Sequence, residues 1–305
     1  MTGAASGIGA GKSSHGLLRA WCRQRWIPFG IRDRVLRALV SPGGMAPTPF
    51  ECEFAGMRYR GDLASYIDWT IYFYGAYEPG LLAFLRDCAA TTGPGSVFVD
   101  IGANTGQHAL FMAPRVERVH AFEPWPEALD RLEKNISLNA LSNVTVHQFG
   151  LGEENGTVSF HSPASSNLGT GSFRADVNAT PSVGVLSVRR GDDVFAASGL
   201  DRMDIVKIDV EGFELKVLSG LRETLARFRP VIVLELLPVV VREQGSADRM
   251  ASTIADILGA GWRLLRLTGV ESYRVEDFAH DGDEVITAVL IPDRLAAVLP
   301  RSGRW

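Results

Sequence analysis

Residues 97–106, VFVDIGANTG, constrain the fold of this chain more than any other segment. An apolar, β-branched run enters a Gly-x-x-x-Gly turn formed by Gly102 and Gly106, and a helical stretch follows from Gln107. Glycine at both positions allows the backbone to approach a ligand where any Cβ would collide. A strand, a glycine turn and a helix in this order predict a nucleotide-type binding site at the carboxyl end of the first strand of a parallel sheet.

The remainder of the chain favours a parallel sheet because short β-branched runs alternate with segments of helical periodicity. Helices are predicted over residues 126–141 and 213–228, where leucines recur at core-facing spacings. The last two strands are joined by a short connection without a helix, so we expect the final strand to insert antiparallel. The predicted fold class is α/β, a Rossmann-like, doubly wound, seven-stranded mixed sheet. Its strands are predicted at residues 96–101, 118–122, 144–149, 203–210, 231–237, 262–267 and 284–291.

A basic segment precedes this predicted core. Residues 1–45 contain seven basic residues against Asp33 alone, a formal charge of +6 that leaves −10 for the remainder. Between residues 16 and 40 arginines interleave with large apolar residues, which predicts an amphipathic helical pair broken near Pro28. The segment either docks on an anionic membrane surface, an acidic partner or a phosphorylated substrate carrier, or packs its apolar face on the main domain.

These patterns divide the chain into two parts. Residues 1–60 are predicted to form a basic N-terminal extension, a flexible leader followed by a helical segment. Residues 61–305 are predicted to form the main domain, with a β-hairpin insertion at residues 156–190 where two β-branched runs interrupt the strand and helix alternation.

Composition excludes several functional classes. The net charge of −4 argues against a nucleic-acid partner. No apolar run approaches the roughly 18–20 residues that a membrane-spanning helix needs. Three cysteines, an odd number spread far apart, predict neither a disulfide framework nor a zinc site. The N-terminus lacks the apolar core of a secretory signal, so we expect a cytoplasmic protein.

A carboxylate follows the second predicted strand. Glu123 stands 17 residues beyond Gly106, where it can accept both hydroxyls of a ribose, each charge-assisted hydrogen bond contributing roughly 1.5 to 3 kcal/mol. The glycine spacing differs from the Gly-x-Gly-x-x-Gly of dinucleotide folds, and Asp100 before the turn would repel a pyrophosphate. The alternative is structural: Asp100 forms the turn and Glu123 neighbours a helix N-cap.

Three segments, VFVDIGANTG at 97–106, AFEP at 121–124 and KIDVEGFE at 207–214, resemble the FkbM-type family of S-adenosylmethionine-dependent class I methyltransferases. The similarity covers about residues 66–237. It implies a Rossmann-like fold, S-adenosylmethionine as cofactor, and O-methylation of a hydroxyl on a sugar-containing or polyketide-type natural product or a glycan. The alternatives are an N-methyltransferase of the same fold and a nicotinamide-dependent oxidoreductase.

The resemblance also assigns roles to individual residues. Glu123 would hold the ribose, and Gly150 and Leu151 would border the adenine. His108 replaces what is often an aromatic residue; it would stack on the cofactor, accept a proton, or serve a structural purpose. The residues expected to line the methionine end of the cofactor are Asp100, Gly102, Asn104 and Gly106.

Methyl transfer requires the nucleophile, the methyl group and the sulfur on one line, and a positioned base would add roughly 10²- to 10⁴-fold. Asp209 and Glu211 close the fourth predicted strand at the edge where the methyl should project, and Glu235 ends the fifth. Either Asp209 acts as the base, with Glu211 also a catalytic candidate, or the three carboxylates hold Mg²⁺. In the structural alternative Glu211 and Glu214 cap the next helix, and Lys207 pairs with one of them.

Acceptor contacts are expected from outside the glycine turn. Residues 165–173 form a polar segment typical of a lid. A group of aromatic residues lines either the acceptor cleft or the hydrophobic core: Tyr66, Trp69, Tyr72, Tyr74 and Tyr77. The expected partners are a small-molecule or glycan acceptor and a second copy in a homodimer.

Overall fold

The computed structural model describes residues 11–40, 45–161, 171–174, 182–279 and 284–305. The chain divides into two compact units between Tyr77 and Glu78. The sequence prediction placed its domain boundary at residue 60, and residues 61–77 lie in the N-terminal unit. The division of the chain into residues 1–60 and a main domain that begins at residue 61 stays a prediction. No helix within the described ranges is long and apolar enough to cross a membrane.

The N-terminal unit contains three helices and a hairpin. The helical pair broken at Pro28 is confirmed. Asp68 joins the hairpin to the third helix, because its carboxylate accepts hydrogen bonds from the Tyr59 hydroxyl at 2.6 Å and the Asp62 amide at 2.8 Å. The elements are α1 (Gly11–Cys22), α2 (Phe29–Leu39), β1 (Pro49–Phe54), β2 (Met57–Asp62) and α3 (Tyr66–Tyr74).

The aromatic residues of α3 form core rather than an open surface. Trp69 and Phe73 are fully buried together with Cys22 and Leu36 from the first two helices. Tyr66, Tyr72 and Tyr74 pack against this cluster. The hydrophobic-core interpretation of the aromatic group therefore holds for these residues.

The second unit is built on a large mixed sheet. The strands of the second unit are β3 (Val97–Ile101), β4 (Arg118–Phe122), β5 (Val144–His147), β6 (Gly150–Gly152), β7 (Gly156–His161), β8 (Ser182–Arg190), β9 (Ile205–Ile208), β10 (Val231–Leu236), β11 (Trp262–Thr268), β12 (Ser272–Asp277), β13 (Ile286–Pro292) and β14 (Ser302–Arg304). Its helices are α4 (Pro79–Thr92), α5 (Gln107–Met112), α6 (Pro126–Leu138), α7 (Gly191–Ala197), α8 (Glu214–Gly220), α9 (Arg222–Phe228), α10 (Pro238–Gln244) and α11 (Ala247–Leu258).

The main sheet has the strand order β14-β12-β11-β13-β10-β9-β3-β4-β5. Strands β5, β4, β3, β9 and β10 are parallel neighbours, so their carboxyl ends meet at one edge. The last long strand, β13, inserts antiparallel between β10 and β11, as predicted from the short connection. The α/β class and the mixed sheet are confirmed.

The predicted number of seven strands is too low: the described residues place nine in this sheet. The two additional strands lie at one edge, where β12 pairs with β11 and β14 pairs with β12. In β12 Tyr273 and Val275 are buried and the intervening residues are exposed, so no apolar run marks it. The helix predicted over 213–228 is also two helices, α8 and α9, separated at Leu221.

The predicted insertion is confirmed as a separate small sheet. Strands β7 and β8 pair antiparallel, and β6 pairs parallel with β8. Between β7 and β8 the structure describes residues 171–174, where Ser172 bridges to His161. This arrangement places Phe173 beside Phe160, with ring centroids 5.7 Å apart.

Candidate active site

The glycine turn between β3 and α5 is held tightly by its own protein. Gly102 and Gly106 have φ values of +80° and +92°, which favour glycine. A Cβ at residue 102 would lie 1.8 Å from the backbone oxygen of Asp209, and one at residue 106 would lie 2.5 Å from Leu132 Cδ1. The immediate need for glycine is therefore the close packing of the turn on the end of β9 and on α6.

Glu123 lies at the end of β4 and is fixed by two backbone amides. The Asn104 N–H donates to Glu123 Oε2, and the Trp125 N–H donates to Glu123 Oε1, each at 2.8 Å. Burial raises the pKa of Glu123 to about 7, while the two amides oppose that rise. A carboxylate oxygen has two lone-pair sites, so each oxygen can accept one further hydrogen bond.

An open cleft adjoins this carboxylate. Aromatic rings that sequence reasoning missed form part of its wall. The ring centroids of Trp125 and Phe160 lie 5.4 Å apart, and those of Phe160 and Phe173 lie 5.7 Å apart. Of the predicted lid, residues 165–170 lie outside the described residues, whereas Gly171 and Phe173 border the cleft. The lining residues are Gly102, Asn104, Glu123, Pro124, Trp125, Ala128, Phe160, Gly171, Phe173, Asp209, Val210 and Glu211.

Gly150 and Leu151, the predicted adenine border, do not line this cleft. Both are buried in β6, and a Cβ at residue 150 would lie 3.4 Å from the Phe173 ring. Phe173 therefore adjoins both β6 and the cleft, and the adenine contact of Gly150 and Leu151 stays a prediction.

Asp209, at the end of β9, borders the cleft and forms an ion pair with a buried lysine. Lys207 Nζ lies 2.9 Å from Asp209 Oδ2 and 3.8 Å from Asp100 Oδ1. Burial alone would lower the pKa of Lys207, but Asp209 and Asp100 raise it above its usual value. Burial raises the pKa of Asp100 to about 6, against the opposing charge of Lys207. Lys207 thus pairs with the aspartates and not with Glu211 or Glu214.

The two glutamates after β9 have different surroundings. Glu214 is fully buried, and its Oε1 accepts the amides of Gly212 at 2.9 Å and Val210 at 3.3 Å. It holds the turn before α8 in place, whereas the structural alternative expects it to cap the helix, and α8 has no side-chain cap. Glu211 lines the cleft instead, with its backbone oxygen accepting the Ser172 hydroxyl at 2.6 Å. Burial, and next the charge of Asp209, raises the pKa of Glu211 to about 8.

Glu78 was missed by sequence reasoning. It occupies the N-cap position of α4 with a left-handed φ of 48°, yet its side chain makes no capping hydrogen bond. Glu78 Oε2 lies 3.7 Å from Nε2 of buried His108, and neither atom has a hydrogen-bond partner among the described residues. Burial, then Asp209, raises the pKa of Glu78 to about 7, whereas burial holds the pKa of His108 well below its usual value.

The magnesium site predicted at Asp209, Glu211 and Glu235 is not supported. Across the described part of the chain, no group of three metal-ligating side chains could hold a metal ion. The physical reason is Lys207, whose ammonium group already supplies positive charge to Asp209. The charge of Asp209, followed by burial, raises the pKa of Glu235 well above its usual value.

The glycine turn, the fixed carboxylate and the acidic sheet edge lie within a segment that matches a known family. Residues 100–261, just over half of the chain, match the Methyltransferase FkbM domain. The chain belongs to the FkbM methyltransferase family. Membership in the FkbM family sets aside the alternative of a nicotinamide-dependent oxidoreductase.

Relatives of this FkbM-family chain include enzymes that are named as methyltransferases. The hexuronic acid methyltransferase AglP of Haloferax volcanii is 34% identical over 138 residues, covering 45% of this chain and 54% of AglP. The 2-O-methyltransferase NoeI of Sinorhizobium fredii is 31% identical over 153 residues, covering 45% of this chain and 61% of NoeI. The chain thus spans less than two thirds of the length of either relative.

The chain also aligns with a solved structure that carries the FkbM name. Methyltransferase FkbM from Methylobacillus flagellatus KT aligns with a TM-score of 0.40 at 21% identity, covering 64% of this chain and 43% of that chain.

Proposed function

We propose that the protein is an S-adenosylmethionine-dependent O-methyltransferase that acts on a hydroxyl of a sugar-containing or polyketide-type small molecule or a glycan. The observation that carries this proposal is the geometry of Glu123. Two backbone amides hold its carboxylate at the wall of the cleft and leave each oxygen one acceptor position. Two adjacent ribose hydroxyls match that pair of acceptors.

The remaining walls of the cleft suit the rest of the cofactor. Trp125, Phe160 and Phe173 provide ring surface for an adenine. Gly102 and Asn104 border the same cleft beside Asp209, where the methionine end would lie. S-adenosylmethionine, when bound, supplies an electrophilic methyl group on a sulfonium.

Asp209 is the proposed proton acceptor for the acceptor hydroxyl. Its side chain borders the cleft and is 24% exposed, and Lys207 compensates its charge at 2.9 Å. Burial raises the pKa of the neighbouring Glu211 to about 8, so that carboxyl is largely protonated at neutral pH. Lys207 and Asp100, both buried behind Asp209, are positioning residues.

The acceptor class rests on the relatives. One is named for hexuronic acid, which indicates a sugar acceptor, and another is named as a 2-O-methyltransferase, which indicates an oxygen acceptor. An amine acceptor remains the second candidate, because a free amine attacks without a strong base. Homodimer formation and docking through the basic N-terminal segment stay predictions.

Isothermal titration calorimetry with S-adenosylhomocysteine tests the ribose assignment. We expect Glu123→Ala to weaken binding at least tenfold, about 1.4 kcal/mol or more. The matched control is Glu127→Ala, an exposed glutamate in the first turn of α6, which should bind like the unaltered protein. Equal affinity in Glu123→Ala and Glu127→Ala would contradict the assignment.

A further inference from the structure

The N-terminal helices leave a set of large apolar side chains exposed. Leu17 is 77% exposed, Trp26 81% and Leu39 64%, and Ile31 and Val35 are also exposed. We refer to these five residues as the outer stripe. Exposed apolar side chains grouped on one short segment are typical of an interaction surface.

The part of the outer stripe that lies on α2 is a face and not a scatter. Ile31, Val35 and Leu39 recur every four residues, so they lie along one side of the helix. Arg32 and Leu36, each one residue further along, are buried. The helix therefore separates an inner face from an outer apolar face.

The inner face is already occupied within the N-terminal unit. Arg23 donates to the backbone oxygen of Tyr72 at 3.2 Å, and Arg32 donates to those of Cys22 at 2.6 Å and Ile27 at 2.8 Å. These hydrogen bonds join α1, α2 and α3 on the inner face. The outer stripe is thus held away from this inner face.

Charge identifies the occupant of the outer stripe. Residues 11–40 carry seven basic residues and one acidic residue, Asp33, which pairs with Arg37, and Arg25 and Arg34 are exposed. The N-terminal unit has a formal charge of +4, against −8 for residues 78–305. A symmetric contact between two copies would bring two such basic segments together, which is unfavourable. An anionic surface satisfies both the apolar side chains and the arginines.

The geometry points to an anionic phospholipid surface as the partner of the outer stripe. Trp26, Ile31 and Leu39 enter the boundary between headgroups and acyl chains, and the exposed arginines contact lipid phosphates. Tryptophan suits that boundary because its ring is apolar and its N–H is polar. This docking is independent of the methyl-transfer proposal.

Vesicle co-sedimentation of the full chain tests the proposal. One set of vesicles is phosphatidylcholine alone, and the other is phosphatidylcholine mixed with phosphatidylglycerol. We expect binding to the mixed vesicles, weakened by salt, and little binding to phosphatidylcholine. The triple variant Trp26→Ser/Ile31→Ser/Leu39→Ser should lose at least tenfold in affinity. Arg25→Gln/Arg34→Gln should lose about fivefold for each arginine removed.

The matched control is Val270→Ser/Val298→Ser, which alters two exposed valines of the second unit and should bind like the unaltered chain. Circular dichroism checks that each variant is folded. The proposal is overturned if the unaltered chain ignores the mixed vesicles, or if the triple variant binds them equally well. It is also overturned if sedimentation velocity shows a dimer that the triple variant abolishes, because the partner would then be a second copy.

Discussion

Some residues of the site can be predicted from the local sequence pattern, and others cannot. Glu123 and Asp209 each end an apolar run, so the parallel sheet dictates that they meet at one edge. Glu78 precedes a proline-led helix, where a carboxylate ordinarily indicates capping. Its burial beside His108 follows from the packing of α4 and α5, and no local pattern encodes that packing. The pairing of Lys207 with aspartates is likewise a tertiary property.

Asp209→Asn tests the proposed proton acceptor. We expect the methyl-transfer rate to fall roughly 100-fold or more, within the range of a positioned base. The affinity for S-adenosylhomocysteine, measured by calorimetry, should change little, and chelator treatment should leave the unaltered rate intact.

Glu211→Gln serves as the control for Asp209→Asn, because it alters a neighbouring carboxyl that also lines the cleft. Its rate should fall less than that of Asp209→Asn. An undiminished rate in Asp209→Asn would exclude Asp209 as the base, and a rate that depends on added magnesium would favour the metal mechanism.

At the scale of elements, regular apolar periodicity was sufficient to locate the long strands and helices. It failed for β14, a three-residue edge strand, and for β12, whose two buried side chains alternate with exposed polar ones. It also failed at Leu221, because the leucine spacing continues across the break between α8 and α9. The glycine turn was located correctly, but its collision partners are protein atoms that are distant in sequence.

Gly102→Ala tests how the turn is held. A Cβ there combines a positive φ with a 1.8 Å approach to the Asp209 oxygen, so the turn and the end of β9 must separate. We expect urea unfolding to show a loss of at least about 3 kcal/mol. Gly199→Ala is the matched control, since its φ is +66° and nothing lies within 4 Å. That variant should lose only about 1 to 2 kcal/mol. Equal losses would show that strain at φ, and not the contact with Asp209, decides the need for glycine.

At the scale of the whole molecule, the second unit concentrates buried and half-buried acids near one edge of its sheet. Burial raises the pKa of Glu78, Glu123 and Glu214 to about 7 and that of Glu211 to about 8. Between pH 6.5 and 8 the folded chain therefore binds more protons at these groups than the unfolded chain, whose carboxyls are already ionised. Stability must fall as pH rises through this window.

Histidines do not reverse that trend. The pKa values of His108, His120 and His147 are lowered by burial, so their stabilising contribution is lost only below about pH 6.5. Lys207 is charged in both states throughout the window. We expect the midpoint of thermal unfolding to decrease from pH 6.5 to pH 8, with a smaller decrease in Glu211→Gln. A midpoint that is constant or rises would show that these acids are ionised in the folded protein.

A crystal structure of the chain with S-adenosylhomocysteine tests the central claim most directly. We predict both ribose hydroxyls within hydrogen-bonding distance of the Glu123 oxygens, with the adenine against the rings of Trp125, Phe160 and Phe173. A complex in which the nucleoside lies elsewhere, or in which the Glu123 carboxylate contacts no sugar oxygen, would contradict it.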